Sequence, residues 1–281
     1  MITVTGKFAS RVRSTLIHAF LILVSLSCLF PLGWMISSAL KTQETVFSDM
    51  SLVPASPKWD NFVTAWTQGE FSIYFLNSVF YTAAVVGGII IVSSLAAFAF
   101  ARLRFPGRNI LFYMFLAAMM IPLPGSFIPL YVLLVNLGLV DTRLGYILAL
   151  INVGLSLSIF MLKTYFDQLP KELEDAAKID GCSKLGIWWR VALPLAKPVI
   201  SVIVIINGLN VWNEYLFAMI IFSDKALMPL QRGLMVFQGT HLTQYPLLMS
   251  GITITVIPVL ILYLLMQKYI VRGVMAGALV G

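Results

Sequence analysis

The chain has 281 residues, 59% of them hydrophobic and only 11% charged, with a net charge of +7. A soluble domain carries about 25% charged residues, so the composition excludes a water-soluble fold and makes lipid the solvent for most of the chain. Two cysteines, Cys28 in an apolar run and Cys182 in a polar one, exclude a disulfide framework.

Six stretches reach the roughly 20 apolar residues that a membrane crossing needs: 14–38, 72–101, 109–136, 143–165, 197–222 and 247–271. The predicted fold is all-α: a polytopic membrane protein with six transmembrane helices and a single transmembrane domain over 1–281. The first stretch follows Lys7, Arg11 and Arg13 as a signal peptide would, but its apolar run is longer than a typical leader core. In the second, Gly87, Gly88, Ser93, Ser94, Ala96 and Ala97 permit close helix approach. The third contains Pro122, Pro124, Gly125 and Pro129, which argue against a regular helix and for a bend, either beside a pathway or as a packing kink.

Lys and Arg concentrate on the cytoplasmic side of membrane proteins. With the N-terminus inside, fourteen of the nineteen fall in inside segments and five outside. Both termini and the loop 166–196 are therefore expected in the cytoplasm. The positive charge needs no nucleic acid to explain it.

That loop is the most polar part of the chain's second half. Pro170 suits a first helical position and Gly181 a stop, so a short helix is predicted between them. Leu173, Ala176, Ala177 and Asp180 share one face by their spacing, and the alanines let another surface approach closely. Ser183 is placed to cap a second helix, LGIWWRVAL, with Trp188 and Trp189 at headgroup level, ended by Leu193-Pro194. The design reads as a lever on the fifth span with a knob for a cytoplasmic partner; an amphipathic segment lying on the membrane is the alternative.

Asp175-Ala176-Ala177 through Gly181, with Leu193-Pro194 and Pro198, resembles the EAA loop of binding-protein-dependent ABC importer permeases. Asn77-Ser78, the run Ala96–Arg108, Ile121-Pro122 to Leu130, Trp212 to Leu216 and the tail from Gln267 resemble the carbohydrate-uptake branch, maltose-type second permeases in particular. The resemblance implies that Glu174, Asp175, Ala176, Ala177, Asp180 and Gly181 form a coupling helix docking on an ATP-binding subunit. In that family the first acid is Glu; here it is Asp175, one methylene shorter, so the ion pair could pass to Glu174. The implied partners are a second homologous permease, a dimer of ATP-binding subunits, an extracytoplasmic solute-binding protein and the bilayer. The implied location is a bacterial or archaeal cytoplasmic membrane. The chain lacks the phosphate-loop motif G-x-x-x-x-G-K-[ST], so no cofactor is expected on it, with ATP and Mg on the partner ATPase.

Ionisable groups inside spans are costly and usually functional. Asn207, Asn210 and Glu214 recur at i, i+3, i+7 in the fifth stretch, with Trp212, Asn213 and Tyr215 beside them, a polar and aromatic stripe suited to a sugar. The alternative is interhelical glue with Glu214 reaching outward. Gln238, Gly239, Thr240 and His241 tip the third outside loop, where the resemblance implies contact with the solute-binding protein. No catalytic or metal residue is assigned, because the spans offer Glu214 and no oriented partner base. The expected function is an importer permease for a di- or oligosaccharide. Glycerol-3-phosphate or a polyol is the alternative solute, and a polytopic membrane enzyme the remote alternative.

Overall fold

A computed structural model describes residues 3–120, 123–239 and 243–278. Among these the fold is helical, and its only β pairing is the single bridge Gln238–Thr243. Four helices are long and apolar enough to cross a membrane: α1 (Thr3–Ala39), α3 (Phe71–Arg102), α6 (Arg143–Gln168) and α11 (Tyr245–Ala278). The third predicted span is two shorter helices, α4 (Arg108–Ala118) and α5 (Leu123–Asn136). Pro129 lies inside α5 rather than ending it, which corrects the expectation of irregular backbone there, and Ile121 and Pro122 lie outside the described residues.

The predicted fifth span also needs correction. Its helix α9 (Lys197–Trp212) stops ten residues short of the expected end at 222, and a separate short helix α10 covers Leu216–Ile221. Before it, α8 (Lys184–Leu195) meets α9 at a bend of 76°. Four crossing helices, or five if that bent pair is one span, are compatible with a six-span chain once α4 and α5 together form another.

The chain divides into two compact units. In the first (1–69 and 234–256), the segment after α1 folds as an ordered cap that includes the short helix α2 (Asp60–Gln68). Lys41 is 1% exposed and donates to the carbonyls of Asp49 (2.6 Å) and Ser51 (2.9 Å), with its ammonium 4.8 Å above the Trp34 ring. Asn61 donates to the Ala39 and Lys41 carbonyls. The Gln43 carboxamide donates to the Thr243 carbonyl and accepts from the Tyr245 N–H, stitching the cap to the start of α11. This loop keeps an ordered course without a β-ladder because side chains satisfy its backbone.

In the second unit (70–233 and 257–281), α3 and α6 pack along their length. At Gly154, α6 packs closely on two neighbours at once: a Cβ there would collide with Ile89 of α3 and Asn207 of α9. Above this contact an aromatic cluster of Tyr81, Tyr146, Phe217 and Phe222 fills the core, with Tyr81 and Tyr146 edge to face at 4.8 Å.

Asn77-Ser78 anchors the loop after α10. Asn77 donates to the carbonyls of Ala226 and Met228 and accepts from Arg143, Ser78 accepts from the Leu230 N–H, and the Tyr81 hydroxyl donates to Leu227. Asn77→Ala removes three hydrogen bonds, the one to Met228 buried and the other two part-buried, at about 1 kcal/mol each. The expected result is a melting temperature in detergent lower by roughly 6–10 °C, and an unchanged melting curve would show that the network is idle.

Candidate functional site

The polar loop forms helix α7 (Lys171–Ile179). Pro170 stands just before the helix, at φ −57° and ψ 135°, rather than at its first helical position; its ring fixes φ, and its missing N–H costs nothing there. Its end is a Schellman turn: the Cys182 N–H donates to the Ala177 carbonyl and the Gly181 N–H to Lys178, with Gly181 at φ +79°. Only a residue without Cβ takes that backbone at no cost. Ser183 then caps α8 by accepting from the Gly186 N–H, as the sequence predicts.

α8 does not end at Leu193-Pro194. It continues to Leu195 through a widened turn at Trp188–Ala192. Pro194 cannot donate to the carbonyl one turn back, and the wider turn accommodates its ring. The bend follows at Ala196, where the Tyr165 hydroxyl of α6 donates to the Leu195 carbonyl at 2.8 Å. Trp189 is exposed and Trp188 half-buried, their rings 5.6 Å apart.

The two faces of α7 differ. Glu174 and Ala177 turn inward and share a helix face. Leu173, Asp175, Ala176 and Asp180 are exposed, and Ile179 is 87% exposed. Ala177 therefore packs against its own chain, apart from the other three residues predicted to share its face. Glu174 pairs with Arg102, the last residue of α3, at 2.6 Å; the two side chains are 17% and 7% exposed. The same guanidinium donates to the Leu169 carbonyl at 2.6 Å. Asp175 pairs instead with Lys178, one turn on, at 2.7 Å. The Lys178 ammonium, as hydrogen-bond donor and as charge, holds the Asp175 carboxyl below its usual range, and Asp175 in turn raises the lysine. Both are fully exposed, so a partner's cation can take the place of Lys178 on Asp175 with little desolvation.

Inside the membrane the predicted stripe separates. Asn207 is buried and donates to Ser158 (3.2 Å) and to the Ile203 carbonyl (3.0 Å), so it joins α9 to α6. Glu214 lies beyond the end of α9 and does not continue its face. One carboxylate oxygen accepts from the Phe217 N–H (2.6 Å), the other from the Tyr146 hydroxyl (2.8 Å) and the Ala218 N–H (3.2 Å). Glu214 thus caps α10 and ties it to α6. Trp212 is buried with its ring edge-on to Phe75 at 5.8 Å. Asn210, Asn213 and Tyr215 are exposed, with Asn213 accepting from Gln231 and donating to the Leu209 carbonyl. Among the outer-loop residues, Gln238 is half of the β-bridge and Gly239 follows it, while Thr240 and His241 lie outside the described residues.

A cavity of about 470 Å³ opens between α4, α5 and α6. Its polar lining is Ser126, Asn152 and Ser156. None of these, and neither Arg102 nor Ile179, was singled out from sequence; Asn152 and Ser156 stand one turn apart within an apolar span and were legible there as a polar pair. Among the described residues no group of His, Cys, Asp or Glu is arranged to hold a metal, and Cys28 and Cys182 are both free.

Residues 89–276 match the family described as binding-protein-dependent transport system inner membrane component. The chain is 36% identical to a probable ABC transporter permease protein, YurM, of Bacillus subtilis (strain 168), over 96% of this chain and 90% of that one. It is 31% identical to the diacetylchitobiose uptake system permease protein NgcG of Streptomyces coelicolor, over 92% and 87%. Its fold is similar to a chain in the crystal structure of a bacterial ABC transporter that imports the acidic polysaccharide alginate, with TM-score 0.79, 23% identity and coverage of 96% and 99%. The chain belongs to the family of binding-protein-dependent ABC transporter permeases, the membrane-spanning, non-enzymatic subunits of that transport system.

Proposed function

We propose that this chain forms half of the translocation pathway of an ATP-driven sugar importer and couples to an ATP-binding subunit through α7. The observation that carries this reading is the division of α7 into two faces. One face is fixed to the end of α3 by the Glu174–Arg102 pair and carries the buried Ala177. The other presents Asp175, Ala176, Ile179 and Asp180 to water. The 87% exposed isoleucine, set beside small and acidic residues, gives this face an apolar contact point that a partner's surface can cover. Asp175, rather than Glu174, is then the acid available to the ATPase, because Glu174 already has its cation.

In this reading the partners are a second homologous permease, a dimer of ATP-binding subunits that carry ATP and Mg, and an extracytoplasmic solute-binding protein. The location is a bacterial cytoplasmic membrane with both termini and α7 on the cytoplasmic side. The solute-binding protein would meet the outer loop around Gln238 and Gly239.

The test is purification from native membranes. An ATPase and a second permease are expected to copurify with the chain, and recovery of the chain alone would argue against the reading. Asp175→Lys puts a cation beside the exposed face. It is expected to reduce ATP-dependent uptake by at least about a hundredfold, because it sets a cation against the partner's cation at the interface, with the chain retained in the membrane. Normal uptake by the assembled Asp175→Lys complex would remove Asp175 from the docking surface.

A further inference from the structure

We propose that Asn152 and Ser156 of α6, together with Ser126 of α5, form a binding site for an uncharged polyhydroxylated solute on the translocation route. The inference rests on the importer reading above and names the substrate class at a site which that reading leaves open.

Position is the first argument. Asn152 and Ser156 stand nine and thirteen residues into α6, which begins at Arg143. At about 1.5 Å per residue they lie roughly 14 and 20 Å along the helix, near the middle of a hydrocarbon layer about 30 Å thick. Asn152 is exposed, and neither side chain makes a hydrogen bond among the described residues. An unpaired carboxamide facing lipid at that depth costs several kcal/mol. The deeply placed asparagine of α9, Asn207, is by contrast fully paired inside the bundle.

Shape is the second argument. The two residues, one turn apart, line a concave space of about 470 Å³ rather than a flat helix face. The opposite wall carries Ser126 and Pro129. Pro129 has no N–H for the carbonyl of Gly125, and a Cβ at Gly125 would meet nothing within 4 Å. Backbone freed in this way is tolerated at membrane depth where it borders a polar cavity.

Chemistry selects the solute. A carboxamide and two hydroxyls both donate and accept, which suits sugar hydroxyls. The described lining contains no charged side chain, so a phosphate or carboxylate entering the cavity would be desolvated with no counter-charge. The cations along α6 are engaged elsewhere: Arg143 donates to Asn77 and lies 5.6 Å over the Phe80 ring, and Lys163, seven residues beyond Ser156, pairs with Asp167 at 2.7 Å and lies 4.8 Å over the Phe112 ring. Among the solutes the family resemblance leaves open, the cavity favours a neutral sugar over glycerol-3-phosphate.

The test uses the assembled transporter in membranes with Leu157→Cys, an apolar lining position that leaves Asn152, Ser156 and Ser126 in place, read as labelling by a charged, water-soluble maleimide above that of the parent, which already carries Cys28 and Cys182. Ile91→Cys on the exposed apolar face of α3 is the control. The probes are a mixture of neutral di- and oligosaccharides and, separately, sn-glycerol 3-phosphate. Leu157→Cys is expected to label faster than Ile91→Cys. The neutral mixture, at about ten times its half-protecting concentration, should slow labelling about tenfold, and glycerol-3-phosphate should leave the rate unchanged. Labelling no faster than the control, protection by glycerol-3-phosphate alone, or protection by neither probe would each overturn the site. Copurification of the ATPase and second permease with the same variant reports on the importer reading independently.

Discussion

Reversing the charge at Arg102 is expected to abolish ATP-driven uptake, and adding Glu174→Arg to the same chain is expected to restore part of it. Arg102 is the last residue of α3, and α3 packs along α6. Its guanidinium holds both Glu174, at the middle of α7, and the Leu169 carbonyl that precedes α7. Any displacement of α7 is therefore delivered directly to the end of a 32-residue span. Removing one partner of a pair this buried leaves the other uncompensated, at a cost of about 3–5 kcal/mol. Arg102→Glu would place two carboxylates where the pair now sits, which repels α7 from α3. The swapped pair recovers the attraction but not the bond to Leu169, because a carboxylate cannot donate to a carbonyl. Rescue is therefore expected to be partial. Arg102→Lys keeps the charge but cannot fork between two acceptors with fixed geometry, and should fall between wild type and Arg102→Glu. The informative measurement is the ratio of solute imported to ATP hydrolysed in complexes of matched composition. If Arg102→Glu complexes assemble and transport at the parent's ratio, α3 is not the element that α7 drives.

How legible was this in the sequence? Where a feature depends on neighbouring residues, it could be read directly. Gly181 marks the end of α7 and Ser183 the cap of α8, because each acts through backbone groups within five residues. Long spans announce themselves by hydropathy. The Arg102–Glu174 pair was not legible, since the two are 72 positions apart and nothing local joins a span-end arginine to one acid among several. The reading of Asn207 and Glu214 as one stripe failed for a different reason. Spacing of i and i+7 places residues on one face only while the helix continues, and α9 ends at Trp212 with neither Gly nor Pro at the break. The residues that end it are the ones that looked functional. Conversely, Asn152 and Ser156 are legible as a polar pair one turn apart, but the cavity they line takes shape only with its opposite wall, from α5.

Glu214 turns on this same point, and its substitutions are expected to act on folding before transport. Its carboxylate receives three donors: the Tyr146 hydroxyl and the N–H groups of Phe217 and Ala218. Those two N–H groups belong to the first turn of α10, where no intrahelical acceptor exists. Tyr146 is fully buried, so its hydroxyl has no water to turn to. Glu214→Ala strands all three, and with stranded buried donors costing about 1–3 kcal/mol each the loss should reach roughly 4 kcal/mol. The variant is expected to accumulate poorly and to lose the protection of α10 in hydrogen exchange. Glu214→Gln keeps the length and one acceptor oxygen but turns an NH₂ towards donors, so an intermediate loss of about 1–2 kcal/mol is expected. Tyr146→Phe removes one donor and leaves the cap, so it should cost less than Glu214→Ala and should lessen the further effect of Glu214→Gln. That non-additivity is the signature of groups in direct contact. If Glu214→Ala folds and melts like the parent while its uptake alone is lost, the carboxylate faces solute, and the structural assignment made here fails.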